Sequence, residues 1–132
     1  MGKRIISQAR GHGSHTYRVR KKAFRYRLAY PKMFLGDAGV IKLFNSSAHS
    51  APLAKIKYAK GTFYVPAFKG MIEGQKINAG ETIENGNIVK LKDIPLKTPI
   101  YNIESKPGDG GKFIKTGGNS ARINKIIGED VF

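Results

Sequence analysis

Apolar and polar residues follow short, strand-like patterns along most of this chain, and no helical period persists over a window of about 11 residues. In residues 54–58 the two types alternate, Lys60-Gly61 forms a turn, and residues 62–65 return, which predicts a β-hairpin. Other strands are predicted at residues 24–30, 39–44, 76–77, 81–83, 88–91, 100–103 and 122–127. Turns separate these runs, so the pattern predicts a mainly β protein built from small barrels.

A turn cluster at Asn85-Gly86-Asn87 is the best candidate for an internal boundary. Residues 1–86 suffice for a basic amino-terminal extension followed by a five-stranded barrel of the oligonucleotide-binding (OB) kind. Residues 87–132 are too few to bury a large core, because small units have a high ratio of surface to volume. This second unit is therefore expected to be incomplete or to be completed by a partner.

Basic residues are concentrated in the first part of the chain. The protein has 24 Lys and Arg against nine Asp and Glu, a formal net charge of +15, and the first 60 residues hold +13 of it. Residues 1–32 contain ten basic and no acidic side chains, and their Gly, Ser and Thr residues favour extended or irregular backbone over helix. A solvated tail is one alternative. A mitochondrial transit peptide and a membrane-surface helix both need an amphipathic helix, which Gly11-His12-Gly13 interrupts, so polyanion binding is favoured.

Aromatic and basic side chains alternate in residues 24–30. Period two places Phe24, Tyr26, Leu28 and Tyr30 on one side of a strand and Arg25 and Arg27 on the other. Rings can stack on bases while guanidinium groups neutralise phosphates. A stand-alone module for single-stranded nucleic acid would use as its stacking platform Phe24, Tyr26, Phe63 and Tyr64. For Phe63 and Tyr64, plain packing within the strand is the favoured interpretation.

No catalytic or metal-binding arrangement is evident in the sequence. Cysteine is absent, which excludes disulfides, thiolate metal sites and a cysteine nucleophile. No Ser-His-Asp, Gly-x-Ser-x-Gly or paired-carboxylate arrangement occurs, so an enzyme is not expected. His12, His15 and His49 are better interpreted as part of a polyanion-binding surface than as a metal site. The glycine-rich residues 108–111, beside Lys112, are interpreted as a loop whose exposed amides approach a phosphate.

Several motifs resemble one ribosomal protein family. They are Gly2-Lys3-Arg4, Ser7-Gln8, Arg10-Gly11, Tyr17-Arg18, Ser50-Ala51-Pro52-Leu53-Ala54-Lys55 and Pro107-Gly108-Asp109-Gly110-Gly111-Lys112-Phe113. Together they resemble the universal second protein of the large ribosomal subunit, in its archaeal or eukaryotic-cytosolic form. Residues 45–49 depart from the His-Asp-Pro stretch that is typical of the family. The family usually continues beyond this length with a Gly-rich, basic carboxyl-terminal extension.

The resemblance implies an OB-type barrel after the amino-terminal extension and a partial SH3-like barrel in residues 87–132. It also implies binding to large-subunit ribosomal RNA, support of subunit association and of the peptidyl-transferase region, neighbouring ribosomal proteins as partners, and a cytoplasmic, ribosomal location. The basic pattern and the resemblance together give the residues expected to bind RNA: Lys3, Arg4, Gln8, Arg10, His12, Tyr17, Arg18, Arg20, Lys21, Lys22, Arg25, Arg27, His49, Ser50, Lys55 and Lys112.

The sequence thus predicts a non-catalytic, RNA-binding structural constituent of the large ribosomal subunit. The alternative is a stand-alone OB-fold module for single-stranded nucleic acid. No cofactor, metal ion or small-molecule substrate is expected. No membrane is expected as a partner either, because no apolar run approaches the ~18 residues of a membrane span. Free in solution, residues 1–32 are expected to be disordered and to become ordered when RNA supplies countercharge.

Overall fold

The computed structural model describes residues 2–132, which form a mainly β protein with four short helical segments. Its largest element is a five-stranded sheet in the order β3-β2-β1-β4-β5. The strands are β1 (Gly36–Phe44), β2 (Leu53–Tyr58), β3 (Gly61–Pro66), β4 (Lys76–Gly80) and β5 (Ile88–Val89). Neighbours are antiparallel except β4 and β5, which are parallel. The sheet curls into a half-barrel, which confirms the predicted mainly β fold.

The remaining elements are short. Strand β6 (Pro99–Ile100) pairs with β7 (Ala121–Arg122), and β8 (Ile126–Ile127) pairs with β9 (Asp130–Val131). The helical segments are α1 (Ile6–Gly11) and three 3-10 turns at His15–Tyr17, Lys21–Phe24 and Leu91–Asp93. Within residues 2–132, no helix has the length and apolar character needed to cross a membrane.

One face of the five-stranded sheet forms the core, because successive side chains of a strand point to opposite faces and the inward set is apolar. The buried side chains of this core are Ala38, Val40, Ala54, Ile56, Phe63, Val65, Met71 and Ile77. Phe34 and Tyr58 pack on the core with ring centroids 5.0 Å apart, and both rings contact Phe63 edge-on or tilted. The predicted hairpin and the strand at residues 39–44 are thereby confirmed as β2, β3 and β1.

A β-bulge bends β1 at its centre. The register against β2 shifts between Val40 and Lys42. The loop before β4 stabilises the bend, since the Leu43 N–H donates to Glu73 Oε1 at 2.9 Å and the Gly74 N–H donates to the Val40 carbonyl at 2.8 Å. Because a bulge increases bending and twist, β1 can pair with β4 along its first half and with β2 along its second.

Five strand predictions are wrong in whole or in part. Two of them, residues 88–91 and 100–103, contribute only Ile88–Val89 to β5 and Ile100 to β6. Residues 81–83 form no strand, because the Asn87 side chain holds this segment as a loop by donating to the Thr82 carbonyl at 3.0 Å. Residues 122–127 are divided between β7 and β8, with the buried Ile123 in the irregular segment between them. Residues 24–30 form no regular strand, since the only bridge there is an isolated parallel one from Leu28 to Tyr64.

The expectation of a helix-free amino-terminal segment is also wrong. Residues 6–11 form α1, and the Ala9 N–H donates to the Ile5 carbonyl at 3.1 Å. The segment contains Gln8, Ala9 and Arg10, which all favour helix, and this local preference outweighs the flanking glycines over one and a half turns. The following 3-10 turns then carry the chain towards β3.

Residues 29–30 join the amino-terminal segment to the second half of the chain. The Tyr30 N–H donates to the Gly110 carbonyl at 2.9 Å, and the Tyr30 hydroxyl donates to the Asn102 carbonyl at 3.0 Å. Burial raises the pKa of Tyr30 well above its usual range, so this hydroxyl stays protonated as a donor. Strand β5 lies beyond the predicted boundary yet pairs with β4, and the division into 1–86 and 87–132 stays a prediction.

Candidate nucleic-acid interface

A cleft of about 710 Å³ lies where three segments of the chain meet. Residues 24–29 form one wall, residues 48–50 form a second, and parts of residues 109–116 form the third. The cleft contains three of the residues expected to bind RNA, Arg27, His49 and Ser50. Residues far apart in sequence therefore meet in one concave site that presents both rings and positive charge.

An aromatic cluster fixes the first wall against the sheet. The Tyr26 ring lies 4.7 Å from Phe44 and 5.0 Å from Tyr64, measured between centroids, and Phe44 and Tyr64 are 5.9 Å apart. The Arg25 guanidinium lies 5.7 Å from the Tyr26 ring centroid, within the range of a cation–π contact. This packing anchors Tyr26, so the flanking guanidinium groups of Arg25 and Arg27 are presented from a defined position.

The second wall is the loop between β1 and β2. His49 is half-buried, its Nδ1 lies 3.0 Å from Ser46 Oγ, and its ring meets Phe24 edge-on at 6.5 Å between centroids. Ser50 Oγ accepts a hydrogen bond from the Gly117 N–H at 3.0 Å. Ser50 therefore holds the second and third walls together in addition to lining the cleft.

The third wall contains the glycine-rich loop, whose structure differs from its interpretation as a phosphate-binding loop. The amides of residues 108–111 do not face a phosphate, because carboxylates of the same loop accept from them. Glu104 accepts from the Gly108 and Gly110 N–H groups at 3.2 and 3.0 Å, and Asp109 accepts from Gly111 at 3.0 Å. The Gly111, Lys106 and Ser105 N–H groups lower the pKa of the Asp109 carboxyl to about 2. An internal anion thus occupies the positions that a bound phosphate would take.

The glycines of this loop serve close packing. A Cβ on Gly110, which has φ +87°, would lie 2.9 Å from the Ala29 Cβ in the first wall. A Cβ on Gly111, which has φ +99°, would collide with the buried side chain of Asn102. Only glycine allows this backbone to approach its neighbours so closely. The loop is thereby fixed beside residues 29–30, where it completes the cleft.

Most other predicted RNA-binding residues lie outside the cleft. Those that are exposed along the amino-terminal segment are Lys3, Arg4, Gln8, Arg10, His12, Tyr17, Arg18, Arg20, Lys21 and Lys22. Among them, the Arg10 guanidinium lies 5.7 Å from the Tyr17 ring centroid. Lys55 is half-buried on β2, and Lys112 is exposed with its Nζ 5.6 Å from the Phe113 ring centroid.

One basic residue of the cleft was not predicted from the sequence. Lys115 lines the third wall, and its Nζ donates to the Gly111 carbonyl at 3.1 Å. Nothing in the local sequence marks Lys115, since its position depends on the fold of the glycine-rich loop. Asp109 also lines the cleft, which places one negative charge beside the two cations Arg27 and Lys115.

The stacking platform of the alternative module is not present as expected. Phe63 is only 6% exposed in the core, so its interpretation as a packing residue is confirmed. Tyr26 and Tyr64 pack on each other, while Phe24 is 59% exposed. The described residues 2–132 contain no group of three His, Cys, Asp or Glu side chains that could hold a metal ion.

Comparison with known proteins identifies the family. Residues 84–131 match the model described as Ribosomal Proteins L2, C-terminal domain. The large ribosomal subunit protein uL2 of Archaeoglobus fulgidus is 43% identical over 125 residues, which cover 89% of this chain and 52% of that protein. The uL2 proteins of Methanococcus maripaludis and Methanosphaera stadtmanae are 40% and 39% identical, each over 93% of this chain and 55% of the relative.

The similarity is therefore nearly continuous along this chain, although the chain spans only about half the length of these relatives. The family model, which matches residues 84–131, includes the glycine-rich loop on which part of the resemblance was based. The chain belongs to the L2 (uL2) family of ribosomal proteins.

Proposed function

We propose that this chain is a non-catalytic structural constituent of the large ribosomal subunit that binds large-subunit ribosomal RNA. Its partners in this proposal are that RNA and neighbouring ribosomal proteins, in the cytoplasm. The exposed basic residues of the amino-terminal segment neutralise backbone phosphates, while the cleft and the half-barrel fix the position on the folded RNA. Within the segment 1–32, residues 24–30 already pack on the sheet, so ordering on binding concerns the largely exposed residues 2–20, as in other basic segments that fold against RNA.

The observation that carries the proposal is the convergence of basic side chains at one cleft in a chain of the L2 family. Arg27 and Lys115 supply positive charge, and Phe24 supplies an exposed ring next to the half-buried His49. Such a combination suits RNA, whose phosphates pair with cations and whose unstacked bases stack on rings. The buried state of Phe63 argues against the alternative, in which that ring would belong to a stacking platform.

The proposal is tested by binding of the 132-residue chain to a large-subunit ribosomal RNA transcript and to a shuffled RNA of equal length, in a salt titration. If about eight phosphates are neutralised, the logarithm of the affinity falls against the logarithm of the salt concentration with a slope of roughly −6 to −7. A ribosomal RNA advantage that persists at high salt supports the proposal. Equal affinities for both RNAs at every salt concentration overturn it.

A pair of arginine variants tests the cleft itself. Arg27→Gln removes a cleft guanidinium, and Arg122→Gln removes an exposed guanidinium from β7, so both lose one positive charge. We expect Arg27→Gln to lower the affinity for ribosomal RNA roughly tenfold, the effect of losing one hydrogen bond to a charged group. Arg122→Gln is expected to change it less than about twofold. Equal losses would indicate that only net charge matters.

The family resemblance extends the proposal to support of subunit association and of the peptidyl-transferase region. It also extends to the domain arrangement, with an OB-type RNA-binding domain in residues 1–86 and the start of an SH3-like barrel in residues 87–132. Large subunits assembled with and without this chain provide the test. Their sedimentation with small subunits and their rate of peptide-bond formation should both fall when the chain is left out, and unchanged values would remove this part of the proposal.

A further inference from the structure

Three lysines lie on the outer face of the five-stranded sheet. Lys42 of β1 is directly opposite Lys55 of β2, and Lys57 follows two residues later on β2. Since side chains alternate along a strand, Lys55 and Lys57 share a face, while Ala54 and Ile56 point into the core. We call these three side chains the lysine row. Neighbouring strands are about 4.8 Å apart and alternate residues about 6.7 Å apart, so the three side chains leave the sheet at closely spaced positions.

Acidic residues are sparse around this charge, although the Glu73 carboxylate accepts from the Leu43 N–H next to Lys42. Between Asp37 and Glu73 the sequence contains no Asp or Glu, and this interval includes all of β2 and β3. Like charges directly opposite each other on neighbouring strands destabilise a sheet. The Lys42–Lys55 pair is therefore unfavourable for folding alone, which points to a function that requires positive charge at this place.

The lysine row is continuous with the candidate cleft. On β3, Tyr64 is the partner of Lys55 in the register, and the Tyr64 ring packs against Tyr26 in the first wall. The Arg25 guanidinium lies 5.7 Å from the Tyr26 ring centroid. A path of positive charge thus runs from the cleft, past the aromatic cluster, onto the outer face of the sheet.

We infer that the lysine row is a second RNA-binding site, which takes the backbone phosphates of the RNA strand that leaves the cleft. The inference rests on the proposed RNA-binding function and specifies a surface outside the cleft and the amino-terminal segment. Lysines bind phosphates as point charges, and phosphate contacts carry no sequence information. The row therefore adds affinity and fixes the path of the RNA, but it adds no sequence preference.

RNA is favoured as the occupant over an acidic protein segment because of this continuity. A polyanion in the cleft already faces Arg27 and Lys115, and the same backbone can extend over the row without a second partner. Polyglutamate of matched charge provides the comparison. We expect it to compete for the row far less well than RNA does, and equally effective competition would overturn the assignment to RNA.

The main experiment compares two triple variants of the 132-residue chain. The variant of the row is Lys42→Gln/Lys55→Gln/Lys57→Gln. The control is Lys90→Gln/Lys92→Gln/Lys125→Gln, which removes three exposed lysines elsewhere in the chain and gives the same net charge. Both are titrated with salt against the ribosomal transcript and the shuffled RNA. Because each phosphate contact contributes roughly 0.7 to 0.9 to the salt slope, we expect the row variant to reduce the slope by about 2 to 3 on both RNAs.

The control variant is expected to change the slope by less than about 1. Equal slope changes in the two variants overturn the lysine row as a site. This outcome differs from failure of the proposed function, in which the unmodified chain itself does not prefer ribosomal RNA.

Thermal unfolding provides a second readout, since removing the Lys42–Lys55 repulsion should leave the midpoint of unfolding unchanged or raise it while RNA binding weakens. A lower midpoint with unchanged slope would show that the row stabilises the fold and binds nothing.

Discussion

The five-stranded sheet and residues 97–132 are stabilised in different ways. In the sheet, apolar side chains from alternating positions of four strands meet in one core, and long ladders pair the backbone. In residues 97–132, each strand is two residues long, and many of the backbone hydrogen bonds join loop residues. In place of strand pairing, the carboxylates of Glu104 and Asp109 accept hydrogen bonds from the N–H groups of the loop.

The two regions differ in how strongly their stabilising interactions depend on exact geometry. Burial of apolar surface is not directional, so many sequences with the same pattern would support the sheet. The loop contacts of residues 97–132 depend on single groups in single positions. Asn102 illustrates the energetic cost of such contacts. This residue is 2% exposed and has φ +51°, and no hydrogen-bond partner for its side-chain amide is found within residues 2–132.

The largest effect is expected from a cavity in the core of the sheet. Ile56→Ala, at a fully buried position, should lower the free energy of unfolding by about 4 kcal/mol in urea denaturation. Ile123→Ala, at a buried position outside that core, should cost about 2 kcal/mol, since loops around it can collapse onto the cavity. Ile127→Ala, where the side chain is 52% exposed, should cost less than about 0.5 kcal/mol. Equal costs at Ile56 and Ile123 would remove the distinction between the two regions.

Two glycines of the same loop test its directional contacts. Gly111→Ala should lower the free energy of unfolding by about 3 kcal/mol, because it strains a residue at φ +99° and collides with Asn102. Gly108→Ala has a similar φ of +85° but open space around the new methyl group, so it should cost about 1 kcal/mol. Urea denaturation measures both variants. If their costs are the same, backbone strain alone explains the glycines and close packing does not.

A smaller effect is expected where the amino-terminal segment joins the sheet. Tyr26→Leu removes the ring contacts with Phe44 and Tyr64 and should lower the free energy of unfolding by about 1 kcal/mol. Tyr17→Leu, at an exposed ring that contacts Arg10, is the control and should change it by less than about 0.5 kcal/mol. Losses of the same size would mean that Tyr26 does not anchor the first wall of the cleft.

The comparison also explains what the sequence could predict. Alternation in β1, β2 and β3 is visible because each strand has one apolar and one polar face, and the hairpin follows from its turn residues. Residues 24–30 alternate in the same way, yet they lie beside β3 with a single bridge. Their rings pack on a surface that the sheet has already formed, and alternation alone does not distinguish this from strand pairing.

The candidate site could be predicted only in part. The charge of the amino-terminal segment is sufficient to identify Arg27, and the motif at residues 50–55 is sufficient to identify Ser50. Lys115 could not be found, because its place in the cleft depends on how residues 104–111 fold. The same folding made the phosphate interpretation of the loop wrong. Glycines and amides are visible in the sequence, but the role of the carboxylates that accept from them is not.

The smallest expected effect is the acid sensitivity of the glycine-rich loop. The Gly111, Lys106 and Ser105 N–H groups hold the pKa of Asp109 at about 2, below its ordinary value of 3.8. Because the folded pKa is the lower one, the carboxylate stabilises the loop above about pH 4, and this contribution is lost as the pH falls towards 2. The carboxylate is fully exposed, so solvent screening keeps the effect local to the loop.

Amide hydrogen exchange, corrected for intrinsic rates, should show falling protection at Gly111 over this range and constant protection at Ile56 in the sheet. Asp109→Asn should remove the pH dependence at Gly111, whereas the charge-matched Asp130→Asn should retain it. Constant protection at Gly111 down to about pH 2 in the unmodified chain would show that the loop does not depend on the ionised carboxylate, and the contrast with the sheet would then rest on glycine packing alone.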